Sequence, residues 1–250
     1  MKLNNKRTVL VGLAFLSICA FWQMYDNVVP LILTNTFHMN ESVSGAIMAA
    51  DNILALFLLP FFGGLSDRLT TRLGRRTPFI LGGTAAAVVL MNLLPLLDNR
   101  YAAAGDTLAL GAFVVVLGLL LIAMGTYRSP AVALMPDVTP KPLRSKANAI
   151  INLMGAVGGM IYLAIAAVLY PNSKVEGLSH VNYQPLFLVV SVIMVAAVAV
   201  MYFTIREPKL YAENQAYEAA HPELNLAQDD GSGHEVLPAP VKRSLGFILA

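Results

Sequence analysis

The chain has 250 residues, 57% hydrophobic and 13% charged, with 17 lysines and arginines against 15 acids, a net charge of +2 and one cysteine. A soluble domain carries about 25% charged residues, so this composition argues against a water-soluble enzyme, a disordered chain or a nucleic-acid binder, and for a membrane protein. With Cys19 alone, neither an intramolecular disulfide nor a cysteine-cluster metal site can form.

Six runs are apolar enough to cross a hydrocarbon core, which takes about 20 helical residues. They are 9–34, 43–65, 78–97, 108–135, 147–170 and 185–205. Strands are excluded by the length of the runs and by the lack of the roughly ten-residue alternating segments of a membrane barrel. The expected fold class is therefore all-α and integral to a membrane. Lys2, Lys6 and Arg7 precede the first run as in a secretory signal. That run is too long for a signal and lacks a clean cleavage site, so it reads as a retained first helix. Fourteen of the seventeen basic residues lie before run one, between runs two and three, between runs four and five, or after run six. Only Arg100 and Lys174 fall on the other side, and Arg128 lies inside run four. Basic loops stay cytoplasmic. The expectation is a cytoplasmic N-terminus, six crossings of a cell (inner or plasma) membrane, and a cytoplasmic segment after Arg206.

Charge inside a membrane costs about 2.5–3.5 kcal/mol at a helix centre on insertion scales, so it marks functional candidates. In the first run, Trp22 and Tyr25 accompany Gln23, Asp26, Asn27 and Pro30, which follow i, i+3, i+4, i+7 spacing. These four share a face expected to point into the bundle. Rings beside amides and a carboxylate suit sugars, which offer apolar C–H faces and many hydroxyls. Asp51 in the second run matches Asp26 in depth, each about 12 Å from the outer surface by helical rise. Two acids at one depth suit reversible proton carriage. Arg128 in the fourth run and Asn152 in the fifth share a depth nearer the inner surface, and Asn148 lies one turn before Asn152. Gly155, Gly158 and Gly159 read as close helix packing. Residues 207–243 are polar, with Asp229, Asp230, Gly231, Ser232 and Gly233 followed by Pro238 and Pro240. They read as a cytoplasmic linker in which 211–220 has the makings of a short surface helix. Residues 244–250 begin another apolar run and are expected to start a seventh helix.

The most specific feature is the loop after run two. It reads Gly63, Gly64, Leu65, Ser66, Asp67, Arg68, and then Arg72, Leu73, Gly74, Arg75, Arg76, Thr77, Pro78, Phe79, Ile80. It resembles the Gly-x-x-x-Asp-Arg-x-Gly-Arg-Arg signature between helices 2 and 3 of the major facilitator superfamily, with four extra residues between Arg68 and Gly74. The longer form is similar to the sucrose/maltose-type sugar:cation symporters and the related glycoside–pentoside–hexuronide transporters. Asp137, Pro140 and Arg144 resemble the family's helix 4–5 loop, and Arg128 resembles its frequent helix 4 arginine.

The resemblance implies the N-terminal six-helix half of a secondary transporter, working by alternating access against a C-terminal six-helix half of the same protein. It implies a sugar or glycoside as substrate, the lipid bilayer as surroundings and no nucleic-acid partner. Asp26 and Asp51 are the proton-coupling candidates, and Trp22, Gln23, Arg128 and Asn152 the substrate-binding candidates. Asp67, Arg75, Arg76, Asp137 and Arg144 are the candidate cytoplasmic gate. No cofactor or metal is expected, with H⁺ as coupling ion and Na⁺ as the alternative. A non-transporting membrane sensor, or an inert half-transporter, is the reading from another class. No P-loop, GxSxG, HExxH or Cys/His metal spacing is present in the sequence, so ATP-driven or enzymatic chemistry has no support.

Overall fold

Each of the six apolar runs folds as one long helix in the computed structural model, which describes residues 3–175, 178 and 180–221. The order is α1 (Asn5–Leu31), continued by a π-helical turn (Ile32–Thr36), then α2 (Glu41–Arg68), α3 (Thr77–Ala104) and α4 (Thr107–Asp137). A 3₁₀ turn (Lys141–Leu143) leads into α5 (Arg144–Leu169), followed by the single turn α6 (Asn172–Val175), α7 (Gln184–Thr204) and α8 (Glu207–Ala220). No strand occurs among the described residues. The expected linker beyond 221 and the expected seventh-helix start at 244–250 lie outside the described residues.

Polar residues beyond the apolar runs set the helix ends. Asn4, Asn40 and Asp106 accept hydrogen bonds from the backbone N–H groups of Arg7, Ser42 and Leu108 at 3.0–3.1 Å, capping α1, α2 and α4. Pro78 sits in the first turn of α3, where its missing N–H costs nothing. Gly105 ends α3 with φ +64, a left-handed conformation open to glycine. The α3 helix therefore continues past 97, where hydropathy falls, to Ala104.

α1 is the central element. It packs along α5 and α7, α3 packs along α4 and α7, and α2 leans mainly on α4. Two glycines permit the closest approaches. A Cβ at Gly158 of α5 would collide with the Leu16 carbonyl of α1, and one at Gly83 of α3 would come within 2.8 Å of the Tyr127 backbone nitrogen in α4. Polar contacts tie the apolar interfaces. The Tyr127 hydroxyl donates to the Ala14 carbonyl at 3.0 Å, and Asn92 Nδ2 of α3 donates to Ser191 Oγ of α7 at 2.6 Å.

The polar face of α1 lies on an open side of the six-helix unit rather than in its core. Phe21, Met24, Tyr25 and Val28 fill the interior, while Asp26 and Asn27 are exposed at the surface of the six-helix unit. Periodicity grouped the polar residues correctly but could not say whether they face the unit's core or an open side. The larger aromatic and aliphatic neighbours won the core.

Candidate functional site

Trp22 joins two cavities. On one side Cys19, Trp22, Gln23 and Asp26, one face of α1, line a cavity of about 360 Å³ with Gly155, Ala156 and Gly159 of α5. The small residues of α5 leave that space open, and a Cβ at Gly159 would stand 3.2 Å from Gln23 Cγ. On the other side Trp22 meets Asp51 of α2 and Gly125 and Arg128 of α4 around a smaller cavity of about 20 Å³. The Arg128 guanidinium carbon lies 5.6 Å from the Trp22 ring centroid, in range of a cation–π attraction. Edge-on contacts to Phe21 and Tyr25, at 5.4 and 5.3 Å between centroids, hold the Trp22 ring.

Trp22 Nε1, the Tyr25 hydroxyl and Asp51 Oδ1 are buried with no hydrogen-bond partner among the described residues. Each such group costs about 1–3 kcal/mol if left unpaired. Of these, Trp22 and Asp51 line the smaller cavity, whose volume of about 20 Å³ has room for one water, so their unpaired groups are placed to take up water or a proton. Arg128 has no carboxylate within 4 Å among the described residues. Asn27 Nδ2 is already spent on the Gln23 carbonyl at 2.6 Å.

The structure thus brings Trp22, Gln23 and Asp26 to one cavity, and Trp22, Asp51 and Arg128 to the next. Asn152 lines neither. It is exposed on α5, three residues before Gly155, which puts it about 4.5 Å along the helix from the larger cavity.

The basic end of the unit holds a denser network. Arg76, buried at the start of α3, donates from Nε to Asp137 Oδ2 of α4 at 2.8 Å. Its other nitrogens donate to Asp67 Oδ1 and Ser66 Oγ of α2. Arg75 Nη2 donates to the Asp67 carbonyl at 2.8 Å. Burial of Arg76 works against its charge, but the hydrogen bond and charge of Asp137, then those of Asp67, outweigh it and raise its pKa above the ordinary arginine value. Asp67, Arg75, Arg76 and Asp137 therefore form one cluster joining the ends of α2, α3 and α4. Arg144 stands apart. It donates to the Thr139 carbonyl at 3.1 Å and pairs with Glu218 of α8 at 3.1 Å.

The sequence reading missed the centre of this network. Glu207, 2% exposed in the first turn of α8, fits its carboxylate onto the N-terminus of α3. Oε1 accepts from the backbone N–H groups of Arg75 and Arg76 at 2.6 and 2.9 Å, and Oε2 from the N–H and hydroxyl of Thr77 at 2.8 and 2.7 Å. An anion at a helix N-terminus satisfies orphan donors and meets the positive end of the dipole. Gly74 makes room. Its φ is +115, and a side chain there would strike the Glu207 carboxylate. α8 is fastened further by Arg75 Nη1 donating to the Tyr211 hydroxyl at 2.7 Å and by Asn214 Nδ2 donating to the Asp137 carbonyl at 3.2 Å. The Glu207–Pro208 pair just past the last apolar run was the available signal, being a common helix start.

Asp98 was also missed. It is fully buried near the end of α3, with His180 Nε2 at 3.8 Å. That ring is held by Asn99 Oδ1 at 2.8 Å and Thr36 Oγ1 at 3.3 Å. Asp98 lies just past the apolar run 78–97, inside the last turns of α3.

Comparison with known proteins decides the family, since the model of the Major Facilitator Superfamily matches residues 11–244. The chain belongs to that superfamily. It is a multi-pass membrane protein of a transporter family, not an enzyme. A sucrose transport protein of Arabidopsis thaliana is 28% identical over 144 residues, covering 53% of this chain and 24% of the relative. A sucrose transport protein of Oryza sativa subsp. japonica is 26% identical over 219 residues, covering 79% of this chain and 36% of the relative. The alpha-ketoglutarate permease of Escherichia coli (strain K12) is 31% identical over 108 residues, covering 41% and 24%. The chain thus spans 24–36% of the length of these relatives.

Proposed function

We propose that this chain is the N-terminal half of a secondary transporter that carries a sugar or glycoside together with protons by alternating access. The observation that carries the reading is Trp22 with its unpaired buried neighbours, set between Asp26 on one side and Asp51 and Arg128 on the other. A ring to stack on a sugar face, donors and acceptors without partners, and two acids to take up a proton are the parts such a step needs. The sucrose transport proteins among the relatives support the substrate class. Asp67, Arg75, Arg76 and Asp137 act as the gate, holding one end of α2, α3 and α4 together while the other end opens. The N-terminus and the segment after α7 lie in the cytoplasm, as the basic loops require.

A second reading has its own support. The alpha-ketoglutarate permease is also a relative, and Arg128, lacking a carboxylate partner, suits a carboxylate substrate. Uptake by the full-length protein in proteoliposomes tests both. Accumulation of labelled sucrose or maltose, driven by an imposed proton gradient and abolished by a protonophore, supports the sugar–proton reading. Accumulation of α-ketoglutarate alone replaces the substrate, and a sodium requirement replaces the coupling ion. Binding without uptake of either solute leaves the sensor reading. Asp26→Asn and Asp51→Asn then separate the roles, since a coupling acid, once neutralised, permits exchange but not uphill accumulation.

A further inference from the structure

The junction of α7 and α8 forms another concave surface, sharing no residue with the Trp22 cavities. With the loop between α2 and α3 it encloses about 420 Å³. Arg72, Arg206 and Lys209 line it. Arg72 and Arg206 have no side-chain hydrogen bond or ion pair among the described residues. Among the described residues Lys209 pairs only with Glu213, at 3.9 Å with both side chains well exposed. The acid in the lining, Glu207, points both oxygens at the α3 N-terminus, so its charge is already matched. Beside the cations stand Leu73, Tyr202 and Phe203, with Phe203 79% exposed.

Each half of this lining is out of place without the other. A site for a soluble anion gains nothing from an exposed phenylalanine, and a groove for an acyl chain gains nothing from three cations. Both belong together at one depth, where a spanning helix leaves the membrane. There basic side chains meet headgroup phosphates, and aromatic side chains meet the glycerol and upper acyl region. We propose that this cavity binds the headgroup phosphate of an anionic phospholipid from the leaflet on the basic side. The guanidinium groups of Arg72 and Arg206 grip the phosphate oxygens, and the chains lie against Phe203 and Leu73. A lipid held there bridges the α2–α3 loop to α7 and α8, across the contact that Glu207 makes.

Retention of phosphatidylglycerol by the purified protein, counted by native mass spectrometry through a titration against phosphatidylcholine, tests the site. Replacing all three cations (Arg72→Gln, Arg206→Gln, Lys209→Gln) weakens retention of one phosphatidylglycerol on the order of a hundredfold. Removing the same charge from exposed positions on the same side (Lys6→Gln, Arg68→Gln, Lys146→Gln) changes it by less than about threefold. The charge-conserving pair Arg72→Lys and Arg206→Lys retains the lipid. If the triple variant does not fold, Arg72→Gln and Arg206→Gln alone decide, each costing about fivefold. Equal weakening by the two triple variants overturns the proposal in favour of a diffuse field. Displacement of the lipid by glycerol 3-phosphate at matching concentration overturns it in favour of a soluble phosphoester.

Discussion

Replacing Glu207 by glutamine isolates the contact between α8 and the start of α3. The two side chains have nearly the same shape, so packing is unchanged and chemistry alone differs. One oxygen accepts from two backbone N–H groups, those of Arg75 and Arg76, and the other from the N–H and hydroxyl of Thr77. The amide does best with its oxygen toward Arg75 and Arg76. Its NH₂ then faces Thr77, whose hydroxyl can turn to accept but whose backbone N–H cannot. One buried donor is left unpaired, at about 1–3 kcal/mol. Loss of a charge at a helix N-terminus adds about 1 kcal/mol. The sum, about 2–4 kcal/mol, raises the open population of α8 roughly 30- to 700-fold. Trypsin reads that population, because Lys209–Leu210 lies inside the helix and is cut only when α8 opens. Cleavage at Lys209 therefore accelerates in that range for the glutamine variant and more for Glu207→Ala, whereas cleavage after the exposed Lys174, between α5 and α7, serves as an internal control. Unchanged cleavage at Lys209 in both variants would refute the assignment of Glu207 as the fastening.

Gly158→Ala places a methyl against the Leu16 carbonyl and lowers stability by about 1–3 kcal/mol, read as a lower melting temperature. Gly111→Ala, with nothing within 4 Å, leaves it unchanged. In the Arg76 cluster, Asp137→Asn destabilises more than Asp67→Asn, because the Asp137 side chain is 19% exposed against 52% for Asp67. The Asp67 pair falls within about 1 kcal/mol, as solvent-screened pairs do, and denaturant midpoints for the two variants check the order. His180→Phe leaves Asp98 buried without its nearest base. Adding Asp98→Asn restores most of the lost stability, with a coupling energy of about 0.5–3 kcal/mol in a double-mutant cycle.

The membrane architecture was legible because a spanning helix must be apolar over its whole length, and no tertiary context is needed to see that. The Asp67–Arg76 motif was legible because its spacing is specific, and the structure joins it to Asp137 as one network. What remained hidden depends on neighbours distant in sequence. Glu207 reads as an ordinary linker acid until the α3 N-terminus is placed beside it, 130 residues away for Thr77. Arg144 has the right charge for the gate, but α8 supplies Glu218 and draws it away. Asp98 lies past the apolar run yet inside α3, because hydropathy marks where a helix leaves the membrane, not where its hydrogen bonding stops. Asp26 and Asn27 were grouped on one face correctly, but periodicity has no sign, and on the six-helix unit that face is open rather than packed against α3 or α7.

The exposed faces show why that side matters. α3 and α7 expose only aliphatic and aromatic large residues over their middle turns, among them Val89, Leu93, Leu188, Val192 and Val195. α2 exposes Ile53, Leu56 and Phe57. The α3 and α7 surfaces cost nothing against acyl chains, whereas α2 also exposes Asn52 beside Ile53. α1 exposes Asp26 and Asn27, and α5 exposes Asn148 and Asn152. Holding even one ionised carboxylate against hydrocarbon costs about 2.5–3.5 kcal/mol or more, so this face needs water or protein over it. The polar side of the unit is thus the side on which a pathway runs, under the proposed transport reading. The gate then acts on the right elements. Arg76 ties α2 through Asp67 and α4 through Asp137, and these two helices carry Asp51 and Arg128 toward Trp22. Asp67 lies sixteen residues from Asp51, about 24 Å along α2. A helix that pivots when Arg76 lets go moves Asp51 without any relay of side chains between them. The demonstration such coupling requires is a non-additive response of Asp51 and Asp137 substitutions in transport. Additive effects would mean that the two ends of α2 and α4 move independently.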